Sequence, residues 1–124
     1  MSEKITNKYQ SGMQRQQDAE AFLLAAGYSI LERNYRVRGG EIDLIAKHRD
    51  YIVFIEVKFR SGVRYGYPRE SVGVAKQRRI IKTAMHYIAV RGLDNQDFRF
   101  DVVEILAHGE KIKINHIENA FDAF

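Results

Sequence analysis

The chain has 124 residues, no cysteine and a formal net charge of +4, enough for one packed domain and compatible with contact to phosphate backbones. The missing cysteine excludes disulfides, thiolate zinc sites and a cysteine nucleophile, and favours an intracellular setting. With 45% hydrophobic and 29% charged residues the composition is that of a globular protein; Met1 to Gln10 lack the apolar run of a signal peptide and no stretch approaches the ~20 apolar residues of a membrane span, so a soluble cytoplasmic protein is expected.

Residues 1–11 read as a flexible N-terminus and residues 12–124 as a single domain. From Gly12 to Ala26 the spacing of Ala19, Phe22, Leu23 and Ala26 is that of one buried helical stripe, and Gly27 closes it as a C-cap. Residues 28–36 read as a first strand, followed by a turn at Gly39-Gly40. Residues 41–47 and 51–59 are two strands joined by the short polar segment His48-Arg49-Asp50, the signature of a hairpin. Residues 60–69, with the only proline (Pro68), form a loop. Residues 70–90 read as a long helix whose inner side carries Val72, Ala75, Ile80, Ile81, Ala84 and Ile88. Phe98–Leu106 and Lys111–Ile117 are two further strands turning at His108-Gly109-Glu110, and the tail from Glu118 is expected to be helical. The order is α-β-β-β-α-β-β, an α/β protein with a mixed central sheet flanked by helices.

Side chains alternate faces along a strand. In 51–59, Tyr51, Val53, Ile55, Val57 and Phe59 share one apolar face, while on the other Ile52 and Phe54 are followed by Glu56 and Lys58. In 41–47, Glu41, Asp43 and Ile45 oppose Ile42, Leu44 and Ala46. A hairpin centred on Arg49-Asp50 puts Asp43 opposite Glu56 and Glu41 opposite Lys58, pointing the same way; a slip of one residue would undo this. Two converging carboxylates repel, and one takes up a proton unless a cation balances them. Mg²⁺ suits such a pair, since it takes one or two carboxylates, waters and phosphate oxygens. An ion held there would polarise a phosphodiester, with Lys58 stabilising developing charge and Glu41 orienting the group or holding a second ion. The alternative is a set of cross-strand ion pairs on a solvated face.

The string Gly40-Glu41-Ile42-Asp43-Leu44-Ile45-Ala46, followed by Val53-Phe54-Ile55-Glu56-Val57-Lys58 and Arg60, resembles the YraN-type family of small bacterial proteins. Through it the chain resembles the Holliday-junction-resolvase-like branch of the PD-(D/E)xK nuclease superfamily, with its restriction-endonuclease-like core. Gly27-Tyr28, Asn34, Gly66, Pro68, Lys76 and Arg99-Phe100-Asp101-Val102-Val103 extend the match over nearly the whole chain from Gly12. The resemblance implies that Asp43 and Glu56 hold Mg²⁺ or Mn²⁺, that the Val57 carbonyl is a further metal ligand, and that Lys58 assists cleavage of DNA, branched DNA included; a symmetric junction would suit a homodimer. It departs at Arg15-Gln16, where the family usually has Gly-Glu: Gln16 offers an amide in place of a charge, and Glu20, one helical turn on, is the candidate substitute. This leaves a weakly active or inactive nucleic-acid-binding module, or a protein-interaction domain, as alternative readings.

Other charged residues suit backbone contact. Arg60, Arg64, Tyr65 and Tyr67 follow the strand that carries Glu56 and Lys58, where basic and aromatic groups suit phosphate contact and base stacking. Lys76, Arg79 and Lys82 share one side of the long helix. His48, His86, His108 and His116 have no metal-ligand spacing and read as structural. Asp101 is expected to pair with Arg99 or to cap a network near the core.

Overall fold

The computed structural model describes residues 12–61 and 72–123. They form α1 (Gly12–Ala25), β1 (Ser29–Val37), β2 (Gly40–His48), β3 (Tyr51–Ser61), α2 (Val74–Arg91), β4 (Asp97–His108) and β5 (Lys111–Phe121). The α-β-β-β-α-β-β order read from periodicity is the order of the folded chain. The expectations for residues 1–11 and for loop residues Arg64, Tyr65 and Tyr67 fall outside the described residues.

The first helix buries Ala19 and Leu23 completely, one turn apart as the stripe requires. It stops where Gly27 takes a φ of +93° and the Tyr28 N–H returns to the Leu23 carbonyl at 3.0 Å, a left-handed cap open to glycine. The strands form a single five-stranded sheet in sequence order. All neighbours run antiparallel except β3 and β4, which are parallel and so need the crossover that α2 supplies. No helix among the described residues is long and apolar enough to cross a membrane.

Central β3 is covered on both faces, which is why both of its alternations are apolar. Ile52 and Phe54 pack with Phe100, Val102, Ile80, Ala84 and Tyr87 beneath α2. Val53 and Ile55 pack with Ala19, Leu23, Val103 and Ile105 beneath α1. Helix α2 lies close on β2 because of Gly40: a Cβ there would come within 2.1 Å of Thr83 Oγ1 and 2.9 Å of the Arg79 carbonyl. Only a residue without a side chain admits the helix at that spacing.

Two expectations are corrected. The tail is not helical from Glu118. Strand β5 continues to Phe121, which pairs across to Phe100 past an irregularity in the ladder and stacks on its ring at 5.0 Å. Asn119 makes the irregularity possible with a φ of +53°, and its N–H is held by Asp101 Oδ1 at 3.0 Å. The second correction concerns β2. Strict alternation puts Ile42 with Leu44 and Ala46, but Ile42 packs with Ile45 toward α2, while Leu44 and Ala46 pack toward α1. The strand changes face at Asp43.

Strand β1 changes face at the matching place. Tyr35 meets His86 and Tyr87 of α2, whereas Arg33 reaches Glu20 of α1. Between them Asn34 has a φ of +51°, a left-handed conformation that asparagine tolerates better than most residues. Asn34 lies opposite Asp43, between the pairs Arg33↔Leu44 and Tyr35↔Ile42. The β1–β2 hairpin therefore coils sharply at this level, as strands do around an irregular residue.

Candidate functional site

The coil has a direct effect on the acidic residues. Backbone pairing between β2 and β3 runs from His48↔Tyr51 only as far as Leu44↔Ile55. The expected direct opposition of Asp43 to Glu56 and of Glu41 to Lys58 is therefore not made by the ladder, because the two strands part beyond Leu44. Asp43 fills the opening: its Oδ2 accepts the Val57 N–H at 2.8 Å, taking up the donor that the ended ladder would leave unpaired. A strand residue directs its N–H and C=O to the same side, so the Val57 carbonyl is turned toward the same opening.

Asp43 and Glu56 are nevertheless brought together. Both line a recess of about 200 Å³ on the α2 side, with Glu41, Lys76, Arg79 and the backbone of Gly40. Glu56 is only 7% exposed, and its Oε2 is ion-paired to Lys76 Nζ from the first turn of α2. Burial pushes the Asp43 carboxyl up and the charge of Glu56 pushes it further; the Val57 N–H and Lys76 pull the other way, and the balance lies at about 7. Two carboxylates with one half-exposed ammonium are thus short of positive charge.

Glu41, on β2, pairs with β1 rather than with β3. It pairs with Arg36 in the β1–β2 register, lies 3.2 Å from Arg36 Nε, and accepts from Asn34 Nδ2 at 3.2 Å. It still contributes charge toward Asp43. Lys58 follows Glu56 on the same alternation of β3, half-buried and beside Glu104 of β4 in the parallel register. Arg60 lies one alternation further, 3.4 Å from Glu104 Oε2.

On the α1 side Asp43 and Val57 also line a larger recess, of about 700 Å³, together with Arg15, Gln16, Glu20, Arg33, Asn34 and Arg36. Gln16 exchanges two hydrogen bonds with Asn34, at 2.9 and 3.2 Å, so the amide in place of the helix acid is linked through Asn34 to Glu41. Glu20 is gripped by Arg33 at 2.7 and 2.8 Å. It is near the site but already neutralised by a bidentate guanidinium. Of the residues expected to contact nucleic acid, Lys76 is engaged with Glu56, Arg79 lines the small recess, and Arg60 is beside Glu104.

Sequence reasoning missed Glu104, Arg15, Arg33 and Arg36. Glu104 is fully buried; its Oε1 accepts from Asn115 at 3.1 Å, and its Oε2 has no hydrogen-bond partner among the described residues. It interrupts the apolar run Val102–Leu106, the same signal that pointed to Glu56. The arginines carried no such signal, because a basic residue on the exposed side of a helix (Arg15) or strand (Arg33, Arg36) is ordinary. Asp101 behaves as expected and lies away from the acidic pair. Burial pushes its carboxyl up, but donors from His116, Arg99 and the Asn119 backbone outweigh burial and hold it below the usual carboxylate range.

Among the described residues no group of three or more His, Cys, Asp or Glu side chains is placed to hold a metal. A site needing three protein side chains, as zinc does, is therefore a poor fit. A hard ion that takes two carboxylates and fills its sphere with water and phosphate oxygens fits, and the surplus negative charge at Asp43 and Glu56 is what such an ion relieves.

The model of the uncharacterised protein family UPF0102 matches residues 16–105. A UPF0102 protein of Lachnoclostridium phytofermentans is 45% identical over 119 residues, 95% of this chain and 98% of that one. One of Clostridioides difficile is 50% identical over 100 residues, 81% of this chain and 86% of its own. One of Myxococcus xanthus is 42% identical over 105 residues, 85% and 83% of the two chains.

Proposed function

The chain belongs to the uncharacterised protein family UPF0102, and from the chemistry of its acidic recess we propose that it is a divalent-metal-dependent endonuclease hydrolysing phosphodiester bonds in DNA. The observation that carries this reading is the pairing of half-buried Asp43 with buried Glu56 at the parted ends of β2 and β3, where burial and then the charge of Glu56 push Asp43 up to about 7. Mg²⁺ or Mn²⁺, held by Asp43, Glu56 and the Val57 carbonyl, supplies Lewis acidity at the phosphoryl oxygen when bound.

The chain's own groups do the rest. The Val57 N–H fixes one oxygen of Asp43, which leaves the other to face the recess. Burial of Glu56 beneath Lys76 keeps water from screening the pair, so the attraction of the two carboxylates for a cation is strong. Lys58, next on the same alternation of β3, is the group assigned to stabilise charge developing on the phosphate. Glu41, held by Asn34 and Arg36, adds negative potential at the edge of the recess.

The test is cleavage of labelled flap, four-way-junction and single-stranded DNA with Mg²⁺ or Mn²⁺. Wild-type protein is expected to cut at least one of these, and Asp43→Ala and Glu56→Ala to abolish cutting while still folding. Failure of the wild type on every substrate removes the enzyme reading. One observation favours a second reading, a nucleic-acid-binding module with little turnover: Gln16 carries no charge and Glu20 is already bidentate with Arg33. In that case DNA binding survives Asp43→Ala, or tightens as a repelling charge is lost.

A further inference from the structure

Lys76 and Arg79 were expected to track a nucleic-acid backbone along α2, but the structure gives them another setting. Lys76 is tied to Glu56, and the recess they share is only about 200 Å³ and lined by three carboxylates, Glu41, Asp43 and Glu56. That space suits a hydrated ion and repels phosphates. The recess on the opposite side of Asp43 differs in size and sign. At about 700 Å³ it is in the range of pockets that hold a whole organic ligand. Arg15 of α1 and Arg33 and Arg36 of β1 line it, against Glu20 and the shared Asp43.

These guanidiniums are held in place by neighbouring side chains. Arg33 gives its Nε and one Nη to Glu20 and keeps 58% of its side chain exposed. Arg36 meets Glu41 through Nε and is 71% exposed. Arg15 lies 4.8 Å over the Phe59 ring, a contact that sets the placement of its guanidinium beside the recess. An arginine has five N–H donors in a fixed fork, so Arg33 and Arg36 have capacity for a second acceptor beyond the carboxylates they meet. Three pre-oriented forks in one recess, opening onto Asp43 and the Val57 edge, match a chain of phosphates better than a single small anion.

We propose that the α1-side recess seats the nucleic-acid backbone, with Arg15, Arg33 and Arg36 contacting phosphates that flank the one presented to Asp43 and Glu56. The strand then runs past α1, and the metal side and the phosphate side of the site meet at Asp43. The inference rests on the proposed function and adds to it the path of the substrate.

The test is fluorescence anisotropy of a labelled 20-nucleotide single strand and its duplex, in EDTA so that nothing is cut, over a series of salt concentrations. Each phosphate contact contributes about 0.7 to the slope of log K against log salt for a single strand. The Arg15→Gln/Arg36→Gln variant is expected to lose about 1.4 of that slope and to bind about 25-fold more weakly near 0.1 M salt. A Lys111→Gln/Lys113→Gln control on exposed β5 removes the same charge and is expected to keep the slope. Melting curves for each variant, and Arg36→Gln alone with about half the slope loss, guard against misfolding. If wild type binds and the arginine variant keeps its slope, or the control loses as much, the strand path is wrong and the endonuclease reading stands. If wild type binds neither probe at low salt, both fail together.

Discussion

Replacing Asp43 by asparagine should make the metal-free protein more stable, and the gain should depend on pH. Asp43 rises from its ordinary 3.8 to about 7, first through burial and then through the charge of Glu56. A carboxyl with a raised folded pKa binds its proton more tightly when folded. Between about pH 4 and 7 the folded state therefore carries more protons than the unfolded one, and stability falls as pH rises through that window. Above pH 7 the penalty is fully developed, at about 1.4 kcal/mol per tenfold or about 4 kcal/mol as a ceiling. Asp43→Asn keeps an oxygen that can accept the Val57 N–H and removes the charge. The variant should match wild type near pH 4 and exceed it by roughly 2–4 kcal/mol at pH 8, below the ceiling because Asp43 is only half-buried and solvent screens part of the penalty. Urea unfolding of both proteins at half-unit steps from pH 4 to pH 8 measures this. A difference that stays constant with pH, or a variant less stable at pH 8, would refute the account of Asp43 as an under-compensated buried acid. Adding Mn²⁺ at pH 8 should then raise the wild-type midpoint and leave Asp43→Asn unmoved.

Lys76→Met should strip buried Glu56 of its ion pair with α2 and lower stability at pH 7 by about 1–2 kcal/mol, less than for a fully buried pair because Lys76 is half exposed. Calorimetric titration should show Mn²⁺ binding more tightly to this variant, since no ammonium competes for Glu56; equal affinities would exclude competition. Asp101→Asn breaks contacts to Arg99, His116 and the Asn119 N–H around a fully buried carboxylate, and should cost about 3–5 kcal/mol at pH 7. Because Asp101 is held below the usual range, its contribution is present above about pH 4 and fades as pH falls through its folded pKa, so the deficit should shrink in acid unfolding curves. Gly40→Ala should destabilise by about 1–3 kcal/mol through overpacking against Thr83 and the Arg79 carbonyl; a neutral urea midpoint would show that α2 can shift away.

The element order was legible in the sequence because it rests on short-range patterns. The 3.6-residue stripe of Ala19 and Leu23, the two apolar alternations of residues 51–59 and the turn residues at Gly27, Arg49-Asp50 and Gly109 each act over a few positions. So did the interruption of apolar strands by Asp43 and Glu56, since a buried acid is conspicuous wherever it stands. Periodicity missed what depends on irregular backbone. The left-handed Asn119 kept β5 running where a helix was expected, and left-handed Asn34 turned β1 and β2 over at Asp43, parting them from β3 and moving Glu41 into the β1 register.

Only the tertiary structure decided which charges meet. Lys76 reaches Glu56 because α2 settles on the bare backbone of Gly40. Arg15, Arg33 and Arg36 share a recess because α1 packs across the coiled end of the hairpin. Local spacing fixes which way a side chain leaves its own strand or helix. The partner it finds depends on how closely two distant segments approach, and here that approach is set by a missing Cβ and a single strained asparagine.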